Sequence, residues 1–83
     1  MINRNYTDKQ KQAFAERLKE LRAASGLSQQ KVANILNVTR STYAYYELGK
    51  TMPNIFTLQK IAEIFEVALE DFLKDCRHLK IVS

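Results

Sequence analysis

Residues 29–46 contain two short helical patterns with only residues 37–39 between them, and this spacing restricts the fold more than any other feature. In the first pattern the apolar residues Val32, Ala33 and Leu36 recur on one helical face. Asn37 comes next, and asparagine tolerates left-handed backbone angles better than any residue except glycine. The sequence therefore predicts two helices joined by a tight turn, which cross where the small side chain of Ala33 lets their backbones approach.

Helical patterns also precede and follow this pair, and no segment alternates between apolar and polar residues for long enough to form a sheet. Five helices are expected, over residues 8–24, 29–36 and 40–48, then one that begins after residue 54, and a last one over 69–76. Side chains that accept from helix-start amides are predicted at Thr7 (with Gln10 as a capping box), Ser28, Thr39 and Asn54. We expect one all-α domain over 1–83, with a helical core at 8–76 and a tail at 77–83.

The basic residues are concentrated in the first part of the chain. Residues 1–50 hold nine Lys or Arg against four Asp or Glu, a net charge of +5, whereas residues 51–83 hold four against five, a net charge of −1. The first part is therefore expected to face a polyanion, although scattered surface lysines that only aid solubility give the same balance. No apolar run is long enough for a signal peptide or a membrane span, which predicts a cytoplasmic protein with no membrane contact.

No residue pattern indicates catalysis or a bound metal. Cys76 is the only cysteine, and His78 has no spaced partner, so neither a disulfide nor a zinc site is expected. Gly49-Lys50-Thr51 resembles the end of a phosphate-binding loop, but the required earlier glycine is Ala44. We therefore predict a protein that is not an enzyme and has no cofactor.

Three stretches together resemble the Cro/CI phage-repressor family, also called the XRE-type helix-turn-helix family. They are RLKELRAASGLSQQKVANIL, NVTRSTYAYYELGKTMP and LQKIAEIFEVALEDFL, and they cover about three quarters of the chain. The resemblance implies a five-helix lambda-repressor-like fold whose second and third helices form the helix-turn-helix. It also implies sequence-specific binding of double-stranded DNA by a transcriptional regulator. The chain departs from the family pattern at Asn37, where glycine is common, at Tyr43, where a smaller aliphatic is usual, and at Ala68, which replaces a capping Ser or Thr.

The resemblance assigns roles to individual residues. Gln29 corresponds to a glutamine that contacts phosphate and supports the reading helix, and Lys50 with Thr51 beside it corresponds to a phosphate-binding position. Arg22 and Glu47 correspond to an ion pair between the first and third helices. The exposed face of the reading helix, which meets base edges or phosphates in the family, comprises Thr39, Arg40, Ser41, Thr42, Ala44 and Tyr45.

Arg40, Ser41 and Tyr45 are the first candidates for base contact. The Arg40 guanidinium can donate two hydrogen bonds to a guanine, but contact with a phosphate is an equal alternative. Lys50 has the plain alternative of a solvated lysine. Tyr43 and Tyr46 are expected to face inward and pack in the core.

The C-terminal residues are apolar at helical spacing, and the natural use of such a face is a homodimer interface. The predicted interface residues are Leu69, Phe72, Cys76, Leu79 and Ile81. The alternative is that these side chains fold back on their own domain, because small cores need every apolar group. The resulting hypothesis is a dimeric regulator, most simply a repressor, bound to an operator. The other function left open is a protein-interaction or antitoxin-like module on the same fold.

Overall fold

The computed structural model describes residues 8–72, which form four α-helices followed by a single 3₁₀ turn at residues 69–72, with no strand in this part of the chain. The helices are α1 (Asp8–Ser25), α2 (Gln29–Leu36), α3 (Arg40–Leu48) and α4 (Ile55–Phe65). The predicted all-α class is confirmed. The predicted fifth helix begins with the 3₁₀ turn, and its remainder, the Thr7 cap and the tail at 77–83 lie outside the described residues.

Polar side chains begin three of the helices as predicted. The Ser28 hydroxyl accepts from the Lys31 backbone amide at 3.0 Å, and Thr39 does the same for Thr42 at 3.0 Å. The Asn54 side chain accepts from the Thr57 amide at 2.9 Å. Each cap satisfies an amide that the first helical turn leaves without a partner, which fixes where the helix begins.

The first residue after each of α2, α3 and α4 determines how that helix ends. Each is followed by a residue with left-handed backbone angles: Asn37 (φ 62°), Gly49 (φ 75°) and Glu66 (φ 55°). In each case the next amide reaches back to the helix, as when Val38 donates to the Ala33 carbonyl at 3.0 Å. This is the Schellman arrangement, and at Asn37 it confirms the tight turn predicted between α2 and α3.

The core lies where α1 and α2 pack on α3 and α4. Tyr43 and Tyr46 both point inward, as predicted, with ring centroids 6.1 Å apart in an edge-to-face arrangement. Phe72 packs against Phe14 at 5.3 Å between ring centroids, so this residue uses its ring within its own chain. Buried apolar residues include Phe14, Leu18, Val32, Ala33, Leu36, Tyr43, Tyr46, Leu58, Ile61, Ala62 and Phe72.

Glu66 carries backbone strain that a glycine would relieve, because only glycine adopts the left-handed region without a steric cost. We expect Glu66→Gly to raise the free energy of unfolding by about 0.5–1 kcal/mol, the relief of strain less the added entropy of the unfolded chain. Urea unfolding monitored by circular dichroism measures this. Glu63→Gly, in the interior of the same helix, should instead lower stability by about 1 kcal/mol. A loss of stability in both variants would contradict the strain at Glu66.

Candidate nucleic-acid interface

A buried carboxylate holds α3 against the rest of the domain. Glu47 is 4% exposed, and its two oxygens accept four hydrogen bonds. Arg22 donates two of them, from Nε at 2.5 Å and from Nη2 at 3.1 Å, and Tyr43 donates its hydroxyl at 2.6 Å. Gln29 donates the fourth from Nε2 at 3.0 Å. The Arg22–Glu47 pair expected from the resemblance is thus present, and it lies inside a larger network.

The donors around Glu47 determine its protonation state. Burial by itself would raise the pKa of this carboxyl, but the hydrogen bonds from Arg22, Tyr43 and Gln29 outweigh burial and hold the pKa below its ordinary value. Burial and the bond to the carboxylate raise the pKa of the Tyr43 hydroxyl, which therefore stays a donor. Glu47 is an anion and Tyr43 a neutral phenol across the physiological range.

The same network connects three segments of the chain. Arg22 lies near the end of α1 and also donates from Nη1 to the Leu27 carbonyl at 3.0 Å, in the loop that leads to α2. Gln29 is the first residue of α2, and Glu47 is near the end of α3. Because one carboxylate bonds all three segments, the position of α3 relative to the start of α2 is fixed.

One face of α3 remains open to solvent. Arg40, Ser41 and Tyr45 are exposed, whereas Thr42 and Ala44 are half-buried at its sides. Ser41 and Tyr45 are one turn apart on the same face, opposite the buried tyrosines. Two of the predicted reading residues, Ser41 and Tyr45, therefore share one surface, and Arg40 is exposed at the start of the same helix.

The predicted contact residue Thr39 has its hydroxyl already engaged. Its oxygen accepts from the Thr42 amide, and the hydroxyl is paired with the Thr42 hydroxyl at 2.9 Å. With Thr39 as the donor in that pair, the Thr42 hydroxyl keeps its proton for an outside acceptor. Thr39 therefore acts first as the cap that begins the reading helix.

The end of α3 differs from the ends of the other three helices. After each left-handed residue, α1, α2 and α4 continue with a half-buried apolar residue: Leu27, Val38 and Val67. After Gly49, α3 continues with Lys50, which is exposed, as is Thr51. The Lys50 amide still closes the turn on the Tyr45 carbonyl at 3.0 Å. This turn has the same backbone geometry as the turns after α2 and α4, but the Lys50 side chain is available to a ligand instead of packing in the core.

Sequence reasoning missed three exposed apolar residues, one on this surface and two on α4. Leu48 is half exposed and continues the Ser41 and Tyr45 face by one more turn. Ile55 and Phe56, at the start of α4, are also exposed, and Phe56 is 75% exposed. Helical spacing from Tyr45 places Leu48 on this face, but an apolar residue at the end of a helix is equally typical of the core.

No helix in residues 8–72 is long and apolar enough to cross a membrane.

The family model and the relatives that match this chain are all of the helix-turn-helix type. The HTH_3 helix-turn-helix family model matches residues 18–72. An HTH-type transcriptional regulator from the SPβ prophage of Bacillus subtilis, YonR, is 44% identical over 61 residues, which cover 74% of this chain and 56% of that protein. The cryptic phage CTXφ transcriptional repressor RstR of Vibrio cholerae is 32% identical over 62 residues, covering 75% of this chain and 56% of RstR.

A solved structure shares the architecture. The restriction-modification controller protein C.AhdI of Aeromonas hydrophila superposes with a TM-score of 0.71 at 28% identity, over 77% of this chain and 97% of that one. The chain spans a little over half the length of YonR and RstR. This chain belongs to the HTH_3 helix-turn-helix family, whose named members here are regulators of transcription rather than enzymes.

The pH dependence of stability tests the Glu47 network. Since the pKa of Glu47 is lowered from 4.5 in the folded state, its contribution is complete above that pH and is lost as the pH falls through the lower folded pKa. We expect Glu47→Gln to lose about 3 kcal/mol at pH 7, near the lower end for a broken buried pair because Arg22 still contacts water. Urea unfolding from pH 7 to about pH 3 should also show a weaker acid dependence in this variant.

The matched control for that measurement is Glu63→Gln, an exposed carboxylate on α4. It should keep the wild-type acid dependence and nearly the wild-type stability. An unchanged acid dependence in Glu47→Gln would show that this carboxylate is not selectively stabilised as an anion.

Proposed function

We propose that this chain binds duplex DNA in a sequence-specific manner, with α3 in the major groove. The observation that carries the proposal is the exposed polar face of α3, whose opposite face is fixed by the buried Glu47 network. A major groove accepts one α-helix, and a helix that is rigidly held can present its side chains to base edges in one register. Membership of a family of named transcriptional regulators supports the same conclusion.

The residues divide into base-reading and phosphate-binding groups. Arg40, Ser41 and Tyr45 are proposed to read bases, with Arg40 donating two hydrogen bonds to a guanine. Gln29 and Lys50 are proposed to bind phosphates on either side of the reading helix. Gln29 keeps one amide proton after its bond to Glu47, so this bond orients the side chain and leaves one donor for a phosphate. Thr39, Thr42 and Ala44 are proposed to meet base edges or adjacent phosphates, and Thr51 is proposed to lie beside Lys50 at its phosphate.

Repression from an operator is the proposed activity, and it follows when a bound protein occupies a promoter. The similarity to RstR, which is named a transcriptional repressor, supports it. We further propose a homodimer with its two α3 helices about 34–36 Å apart, which matches one turn of DNA. A single small module buries only about 600–1,000 Å² on DNA, so two copies give a more selective contact.

A role as a protein-interaction module is the second candidate. Its specific support is the exposed pair Ile55 and Phe56 on α4, since two adjacent large apolar side chains in water are a common mark of a protein contact. This pair lies on the helix that such a module would use to hold a partner. The two candidates differ in whether loss of the α3 face or loss of the α4 pair abolishes the activity.

Replacing the reading face tests the DNA-binding proposal. We expect Arg40→Ala with Ser41→Ala to weaken binding to a duplex selected by the wild-type protein from a randomised pool by about 10–100-fold, as the loss of one bidentate base contact predicts. Fluorescence anisotropy measures both this duplex and an unselected one. Lys60→Ala, which removes an exposed charge on α4, is the matched control and should bind nearly as well as the wild type. Equal affinity of the double variant and the control for the selected duplex would refute a reading role for this face.

The assembly state tests the proposed dimer and its interface at the C-terminal apolar residues. Light scattering should give twice the chain mass of 9.6 kDa for the wild type and the monomer mass for Ile81→Asp. An equivalent charge at Phe56 should leave the dimer intact, because that residue lies outside the proposed interface. Dissociation by Phe56→Asp alone would move the interface to α4, and a monomeric wild type would remove the dimer from the proposal.

A further inference from the structure

The second turn of α1 lies directly against the end of the reading helix. A Cβ on Gly49 would be 3.4 Å from the Lys11 backbone oxygen and 3.5 Å from Gln12 Nε2. The left-handed backbone is what favours glycine at position 49, and the residue lies within van der Waals contact of α1. The side chain that follows it, Lys50, thus starts beside Lys11 and Gln12.

The side of α1 on which Lys11 lies faces the reading helix. Lys11 precedes Phe14, Ala15 and Leu18 at i+3, i+4 and i+7, and those three residues are buried. Lys11 itself is half-buried, at the edge of this stripe. A lysine in such a place packs its methylene groups on apolar surface and extends its ammonium group into water.

The polar groups at this junction are not used by the domain itself. Lys11, Gln12 and Lys50 form neither ion pairs nor side-chain hydrogen bonds within residues 8–72. The acidic residue closest along this face of α1 is Asp8, one turn earlier and exposed. The Gln12 amide thus lies beside the glycine that ends α3, and two lysine side chains start next to it, which is a combination of groups that suits an anion.

We propose that Lys11 and Gln12 extend the DNA contact onto α1 and, together with Lys50, bind one backbone phosphate at the end of the reading helix. The inference rests on the proposed function, since the phosphate is that of the duplex in which α3 lies. It explains why α3 is followed by an exposed lysine where α1, α2 and α4 are followed by apolar residues. Lys11 and Gln12 position the duplex and carry no base selectivity.

A pair of lysines on α1 gives a matched test. Lys9 is two residues before Lys11, so it lies on the opposite side of the same helix, and it is exposed. We expect Lys11→Ala to reduce the slope of log Kd against log salt concentration by up to about 0.9, the value for one whole phosphate contact, and Lys9→Ala to change it far less. Gln12→Ala should weaken binding without changing the slope, because its amide is neutral. Circular dichroism melting checks that each variant folds.

The pair of Lys11 and Lys50 tests whether they share one phosphate. The loss in the double alanine variant should be smaller than the product of the single losses by about twofold or more. If the affinity losses of the two single variants multiply in the double variant, the two lysines do not share a site. Equal changes in the salt slope for Lys9→Ala and Lys11→Ala would mean that only the net charge of the protein matters. If the wild type binds duplex DNA with no salt dependence, or does not bind, the proposed function itself fails. If the wild type binds and Lys11→Ala has the same affinity and the same salt dependence as the wild type, only the α1 contact fails.

Discussion

The structure depends on one buried anion. Removing the Glu47 carboxylate from water is expensive, and only a complete set of donors offsets the cost. Arg22, Gln29 and Tyr43 supply that set from α1, α2 and α3, so the carboxylate can be buried only when all three helices are in place. An apolar residue at this position would pack without specifying an arrangement. The anion makes correct placement of the reading helix a condition of stability.

Tyr43 has two roles, one for its ring and one for its hydroxyl. Its ring fills the core beside Tyr46, and its hydroxyl reaches the Glu47 carboxylate at 2.6 Å. A smaller aliphatic residue at this position would leave that oxygen with one donor fewer, and the carboxylate would need water or another partner. The larger side chain is therefore accommodated for an electrostatic reason as well as a steric one.

The sequence allowed the helix boundaries to be predicted because local chemistry decides them. Ser28, Thr39 and Asn54 cap helices from within three residues, and Asn37 adopts left-handed angles that few other residues tolerate. The left-handed backbone at Glu66 was not predictable in the same way, since a residue with a side chain disfavours it. Packing of the next residue, Val67, on the core accounts for this backbone. The hydroxyl of Tyr43 and the approach of α1 to Gly49 were also missed, because both depend on how helices cross.

The direction of the helix ends connects the core to the proposed contact. Each Schellman turn brings one residue back against the body of the domain, and in the turns after α2 and α4 this residue is apolar and adds to the core. At the end of α3 the same geometry instead holds Lys50 beside the backbone of α1, after a glycine that supplies the left-handed angles of the turn. One local motif thus closes the core at the ends of α2 and α4 and places a cation beside the proposed reading face at the end of α3. The placement needs no additional structure, because the turn that ends the helix already fixes the direction of the side chain.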